Sequence, residues 1–299
     1  MDSAFRPEPT GAMMLRLRDY YQLSKPRIIV LLLITTAAAM VMAARGIPPL
    51  PLLFWTLCAG ALAAASAGAL NCVWDADIDR VMRRTQHRPI PQGRISETAA
   101  AVFGLVTGAV SFALFFTLVN PLAAWLSLAG NLYYVVIYTM WLKRITPLNI
   151  VIGGAAGAVP PLVGWAAVTG TVGPPALGLF ALIFLWTPPH FWSLALMTDV
   201  DYEKAGIPML PAVAGSARTK LEIFVYSLVL VAASLALAAL HVMGALYAAG
   251  AAVLGAIFIF DAYRLFGDET RRTPRIRFKY SLIYLALLCA VLVLDRVIT

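Results

Sequence analysis

Three cysteines and three histidines in 299 residues leave little material for a disulfide framework or a thiolate or imidazole metal centre. Cys58, Cys72 and Cys289 show no metal-ligand spacing and fall in or beside apolar stretches, where they read as packing residues. Charge is scarce as well: 13% of residues are charged against 61% hydrophobic, and the mean hydropathy is +0.82. So little polar surface cannot cover a soluble globule. Acids are the scarcer sign, 15 against 23 basic residues, which gives a net charge of +8. No nucleic-acid partner is expected from that excess, because the basic residues are spread over short segments between apolar runs and form no single face. The first 25 residues also lack the apolar core and cleavage pattern of a secretory leader.

What the chain does have is apolar sequence in long unbroken lengths, so the lipid bilayer is its expected surroundings. Residues 28–44, 46–74, 98–142, 145–198, 223–260 and 280–294 carry no charge, and one helical crossing takes about 20 residues. The longer runs must fold back, and Asn120-Pro121, Gly170 to Pro175 and His241 to Gly244 mark where. This predicts nine helices, at 28–45, 50–70, 99–119, 122–142, 148–168, 175–198, 221–241, 244–264 and 279–297. The fold class is all-α, a polytopic membrane protein with about nine transmembrane helices surrounding a central cavity. With the N-terminus cytoplasmic, every basic residue except Arg45 and Arg296 falls on the cytoplasmic side, as the positive-inside rule requires. Residues 1–27 then form a cytoplasmic N-terminal segment and 28–299 a single transmembrane domain. Its helices one to four and five to eight read as related halves, because similar acid-bearing, proline-containing loops follow helices two and six. Repeats of this kind often place a site between the halves.

The acids are where chemistry is expected. Asn71, Asp75 and Asp79 are spaced by four residues at the end of an apolar run, and carboxylates at the edge of hydrocarbon are costly and rare without a task. On an ideal helix that spacing makes one slanted stripe of an amide and two carboxylates. Hard oxygen ligands of this type suit Mg²⁺, which keeps several waters and accepts phosphate oxygens. Arg84 and Arg88 add planar forks for phosphate, and Lys25, Arg27, Lys143 and Arg144 could complete a basic ring on the same side. Together they imply a metal-bridged polyanion. The competing reading is of solvated helix-end acids paired with interface arginines, and for the lysines plain positive-inside flanking.

Asn71-x3-Asp75-x3-Asp79 followed by Arg84-Thr85-x-x-Arg88-Pro89 resembles the first signature of the UbiA superfamily of intramembrane prenyltransferases. Three further stretches are similar to its haem branch, the protohaem IX farnesyltransferases (haem O synthases). They are Asn149-Ile-Val-Ile-Gly153-Gly154 continuing to Pro160-Pro161-Leu-Val-Gly164-Trp165, then Trp186-Thr-Pro188-Pro189-His190-Phe-Trp192, then Asp201-Tyr202-x-x-Ala205-Gly206-Ile-Pro208-Met-Leu-Pro211. The resemblance runs from about Lys25 to the ninth helix. It implies that Asn71, Asp75 and Asp79 hold Mg²⁺ on an allylic diphosphate, with Asp201 holding a second ion from the other half. Asp77, Asp199 and Glu203 are secondary metal candidates. Asp201 is favoured over Asp199 because, on an ideal helix, it shares the face of His190. Arg84, Arg88, Lys25, Lys143 and Lys204 are the expected diphosphate contacts.

His190 has two readings: a hydrogen bond to a carbonyl freed by the Pro188-Pro189 pair, or a ligand to haem iron. The resemblance further implies that farnesyl diphosphate and haem b are the substrates and haem O the product, and that a haem A synthase is the downstream partner; the compact N-terminus favours a bacterial inner membrane over a mitochondrial one as the location. Two alternatives remain. A quinone-type aromatic acceptor would use the same acids, and an ion-coupled carrier would place acids in facing halves.

Overall fold

A computed structural model describes residues 10–268 and 272–298, and their side chains from residue 14 on. Among the described residues there is no strand, and nine helices are long and apolar enough to cross a membrane. They span Pro26–Ala44, Leu50–Trp74, Glu97–Leu118, Pro121–Ile145, Asn149–Thr169, Pro174–Ala195, Leu210–Ala239, Ala245–Gly267 and Arg272–Ile298. The protein is thus a multi-pass membrane protein. Of the expected N-terminal segment, residues 1–9 lie outside the described residues, and Thr10–Leu23 forms a helix that the sequence reading did not predict. This helix is anchored from one side. Leu23 is fully buried in a cluster with Ala69, Cys72, Ile90 and Ile95, Tyr20 packs on Phe103, and Asp19 pairs with Arg94 at 2.9 Å.

Successive spans pack against one another around a ring that closes where the ninth meets the first, and the first also packs on the fifth across the middle. In lipid, such contacts rest on close van der Waals fit, so small residues let backbones approach. Gly164 is the sharpest case: a Cβ there would stand 2.4 Å from the Thr36 carbonyl oxygen, so the fifth and first spans touch main chain to main chain. The far wedge is stitched by Arg277 of the ninth span, which is fully buried. It donates to the Phe258 carbonyl at 2.9 Å and to Ser227 Oγ at 2.6 Å, and lies 4.4 Å from the centre of the Phe258 ring. Asp295, also fully buried, accepts from the Gly244 and Tyr247 amides, satisfying the first free N–H groups of the eighth span.

Several boundaries differ from expectation. The seventh span begins at Leu210 and not 221, with a break at Gly215 (φ 78°), and the ninth begins at Arg272 and not 279. The ninth starts in a basic turn, Arg272 to Arg275, whereas the seventh starts in the apolar turn Leu210 to Val213, ahead of Arg218 and Lys220. The sixth span ends at Ala195, and a turn separates it from the short helix Asp199–Lys204. The helical register that put Asp201 on the face of His190 therefore does not hold. The fourth span changes character within its length: Tyr133–Leu142 is a π-helix, a rare form concentrated at functional positions.

Candidate active site

The second span ends at Trp74, Asp75 takes non-helical angles (φ −87°, ψ 9°), and Ala76–Val81 resumes as a short helix. The stripe survives this interruption because Asp75 N still bonds the Asn71 carbonyl at 2.9 Å and Asp79 N the Asp75 carbonyl at 2.8 Å. Asn71, Asp75 and Asp79 are all buried, at 4%, 1% and 2% exposure, so they are not the solvated helix-end acids of the competing reading. Ion-sized charge compensation must come from nearby, and it does.

Lys25, in the left-handed conformation (φ 55°) just before the first span, places Nζ 2.5 Å from Asn71 Oδ1. Burial pulls the Lys25 ammonium below the usual lysine range. Lys143, at the end of the fourth span, places Nζ 2.5 Å from Asp75 Oδ2, which also accepts from Asn71 Nδ2 at 2.9 Å. Arg88 donates to Asp79 Oδ2 at 2.6 Å. The π-helix is what aligns the fourth span with this row. Thr139 Oγ1 bonds the Tyr134 carbonyl five residues back and accepts from Asn71 Nδ2 at 3.0 Å, while Lys143, one turn on, reaches Asp75. Gly153 of the fifth span makes room for the same segment, since a Cβ there would meet the Tyr138 ring at 2.2 Å.

One oxygen of this row is left over: among the described residues Asp75 Oδ1 is buried without any hydrogen-bond partner. A bare buried carboxylate oxygen is expensive unless something positive reaches it, and the donor set of two carboxylates and an amide matches Mg²⁺ chemistry. The residues present therefore fit a divalent cation. Asp77 faces elsewhere: both its oxygens accept from Arg144 at 2.8 Å, and its side chain is 62% exposed. Its hydrogen bond with Arg144 is the main reason its carboxyl falls to about 2.

The second loop meets the first through its apolar residues. Ile78 and Met82 share one buried cluster with Tyr202, Ile207 and Met209, with Ile150 and Tyr138 alongside. Asp201 is half-buried and, among the described residues, its carboxylate enters no hydrogen bond or ion pair; Asp199 Oδ1 accepts from the Val200 amide. Among the described residues no three His, Cys, Asp or Glu side chains form a metal-sized group, so the loops converge while Asp201 is not drawn onto Asp75 and Asp79. Arg84, Glu203 and Lys204 are exposed.

His190 does not bond a freed carbonyl. The sixth span stays helical through Pro188 and Pro189, and His190 Nδ1 lies 2.6 Å from Ser281 Oγ of the ninth span. Asn149, the first residue of the fifth span, is fully buried with Oδ1 unpartnered. Thr139, which meets Asn71, and Phe278 and Ser281, which meet His190, were not singled out in the sequence, nor was Asn149. Only Asn149 had a signal, as the head of a quoted motif.

Residues 32–288 match the model of the UbiA prenyltransferase family. Among curated relatives, the Protoheme IX farnesyltransferase of Gloeobacter violaceus is 54% identical over 283 residues, covering 94% of this chain and 92% of that one. That of Trichodesmium erythraeum is 52% identical, covering 93% and 85%. The chain spans about half (48%) of a third, from Chloroflexus aurantiacus, at 50% identity. Among solved structures, a digeranylgeranylglyceryl phosphate synthase superposes with a TM-score of 0.77, covering 95% of this chain and 99% of that one at 18% identity. A UbiA homologue from Archaeoglobus fulgidus bound to DMAPP and Mg²⁺ gives 0.66, covering 92% and 97%, also at 18%. At such identities the structural likeness is one of fold.

Proposed function

Because the chain belongs to the UbiA prenyltransferase family, we propose that it transfers a farnesyl group from farnesyl diphosphate to a vinyl group of haem b, giving haem O and diphosphate. The observation that carries this reading is the buried row Asn71–Asp75–Asp79 with its cationic partners and its bare oxygen at Asp75. The haem acceptor is supported by relatives about half identical over nearly the whole chain. Asn71, Asp75 and Asp79 would hold Mg²⁺, with Asp201 contributing from the second loop. When bound, Mg²⁺ supplies positive charge that offsets the charge building on the departing diphosphate.

The chain's own residues do the rest. Lys25, Lys143 and Arg88 sit where diphosphate oxygens would arrive, and Arg84 and Lys204 extend positive charge to the exposed rim. These groups act most strongly where the leaving oxygens gain charge, which lowers the barrier and not merely the ground state. The bond from the farnesyl carbon to oxygen breaks with its electron pair leaving on the diphosphate. Apolar walls supplied by the spans would keep water from the allylic cation. The vinyl carbon then bonds the farnesyl carbon, and water captures the resulting porphyrin-side cation and loses a proton. His190 holds the haem. The proposed location is the bacterial inner membrane with the N-terminus in the cytoplasm, and the proposed downstream partner is a haem A synthase that consumes the product.

The test is incubation of the purified protein with haem b, farnesyl diphosphate and Mg²⁺, followed by mass analysis of the porphyrin. The expected product gains one farnesyl group and one hydroxyl. Diphosphate release that leaves the porphyrin unchanged and modifies an added aromatic acceptor would overturn the haem reading, and intact farnesyl diphosphate would overturn prenyl transfer.

A further inference from the structure

His190 lies in a slot between two nearly parallel rings. Trp186, one turn earlier, stacks at 4.3 Å between ring centres with 16° between planes, and Phe278 of the ninth span covers the other face at 4.6 Å and 22°. With both faces covered, the imidazole can offer only its edge. On that edge Nδ1 lies 2.6 Å from Ser281 Oγ. The Ser281 hydroxyl has one proton, and the Phe278 carbonyl, 2.7 Å away, can only accept it. Assigned that way, the same oxygen accepts from His190. Nδ1 then carries the proton of the neutral ring and the Nε2 lone pair is unprotonated; among the described residues no hydrogen bond reaches Nε2. Ser281 fixes the backing ring too, because its carbonyl accepts from Trp186 Nε1 at 2.9 Å.

We propose that Ser281 is the positioning residue of the haem site: it locks His190 in the Nδ1–H tautomer so that Nε2 serves as the axial donor to the iron of the haem substrate. This rests on the reading of haem b as acceptor. An N–H bond from the far nitrogen of a ligating imidazole to an oxygen sets its tautomer and orientation and raises its basicity. One residue thereby governs the ligand through its side chain and the stacking ring through its main chain.

The test is an optical titration of the full-length protein in detergent with haem b and, in parallel, with metal-free protoporphyrin IX. Wild type should give an imidazole-ligated haem spectrum, and Ser281→Ala should lose about 10- to 100-fold in haem affinity with a perturbed spectrum, the usual effect of removing such a partner. Ser281→Thr, which restores the hydroxyl, should recover both. Protoporphyrin IX should bind wild type and Ser281→Ala alike, because only the iron bond depends on the tautomer. An unchanged haem spectrum in Ser281→Ala, or an equal loss for haem and the metal-free ring, would overturn the assignment. His190→Ala should abolish the imidazole signature; if that variant does not fold, the alanine and threonine pair at Ser281 still decides. Farnesylated haem formed by a Ser281→Ala enzyme with wild-type spectrum would reject this inference and leave the proposed reaction standing. Intact ligation without any product would do the reverse.

Discussion

Asp75→Asn separates what the buried row does for stability from what it does for catalysis. In the wild type, Asp75 is 1% exposed, and its Oδ2 takes the Lys143 ammonium, whose side chain is only 13% exposed. Removing one partner of a buried pair typically costs about 3–5 kcal/mol, because the other charge is left uncompensated. Two features reduce this here. Lys143 stands at the loop end of its span and can extend toward water, and the unpartnered Oδ1 already carries a desolvation cost of about 1–3 kcal/mol that the neutral amide eases. The net expectation is a loss of about 1–2 kcal/mol. The double variant Asp75→Asn/Lys143→Met removes both charges and should recover most of that stability. Activity should not follow: transferase turnover should fall by roughly 100-fold or more in both variants, since a carboxylate proposed to hold Mg²⁺ against the leaving diphosphate is gone. Thermal unfolding in detergent reads the first quantity and porphyrin mass analysis the second. Turnover that recovers together with stability in the double variant would refute the argument, because Asp75 would then be a structural ion-pair partner and nothing more.

Two further outcomes follow from the same geometry. Asp77→Asn should leave turnover near wild type and cost no more than about 1 kcal/mol, since its pair with Arg144 is largely exposed. Its carboxyl is lowered in the folded state to about 2, so that small contribution is present above the ordinary carboxylate range and fades as pH falls toward 2, which an acid unfolding series of both proteins would check. Gly153→Val should displace Tyr138 and with it the π-helical segment, lowering stability by about 1–3 kcal/mol; an unaltered melting temperature and turnover would show that the fourth span is not held by this contact.

The nine crossings were legible because charge is absent where lipid would be, and the ordering of basic loops agrees with them. The ends were less so: apolar runs mark where hydrocarbon begins, whereas the helices carrying Arg218 and Arg275 already begin at Leu210 and Arg272. The π-helix was invisible, since Tyr133–Leu142 is as apolar as any helical span and the wider turn is a matter of tertiary fit. Asn71, Asp75 and Asp79 could be grouped from spacing, because four-residue steps on a helix bring side chains to one face; Arg88, Lys25 and Lys143 were candidates only as basic residues near the same membrane edge. The pairing of Lys143 with Asp75, 68 positions apart, could not be. Nor could the slot around His190, which the ninth span completes from 91 positions away. The ideal-helix link from His190 to Asp201 failed because the chain turns after Ala195.

The wide-wound stretch of the fourth span has a consequence for how this region tolerates change in chain length. Since Thr139 and Lys143 meet Asn71 and Asp75 only through the extra residue each wide turn accommodates, losing one residue between Tyr133 and Tyr138 would let the segment rewind to an ordinary helix. The apolar character of the crossing would be untouched and insertion into lipid would proceed, yet the threonine and the ammonium would swing off the acids together. Shortening by a single position would thus disarm the protein more thoroughly than many substitutions, without leaving a visible mark on its hydropathy.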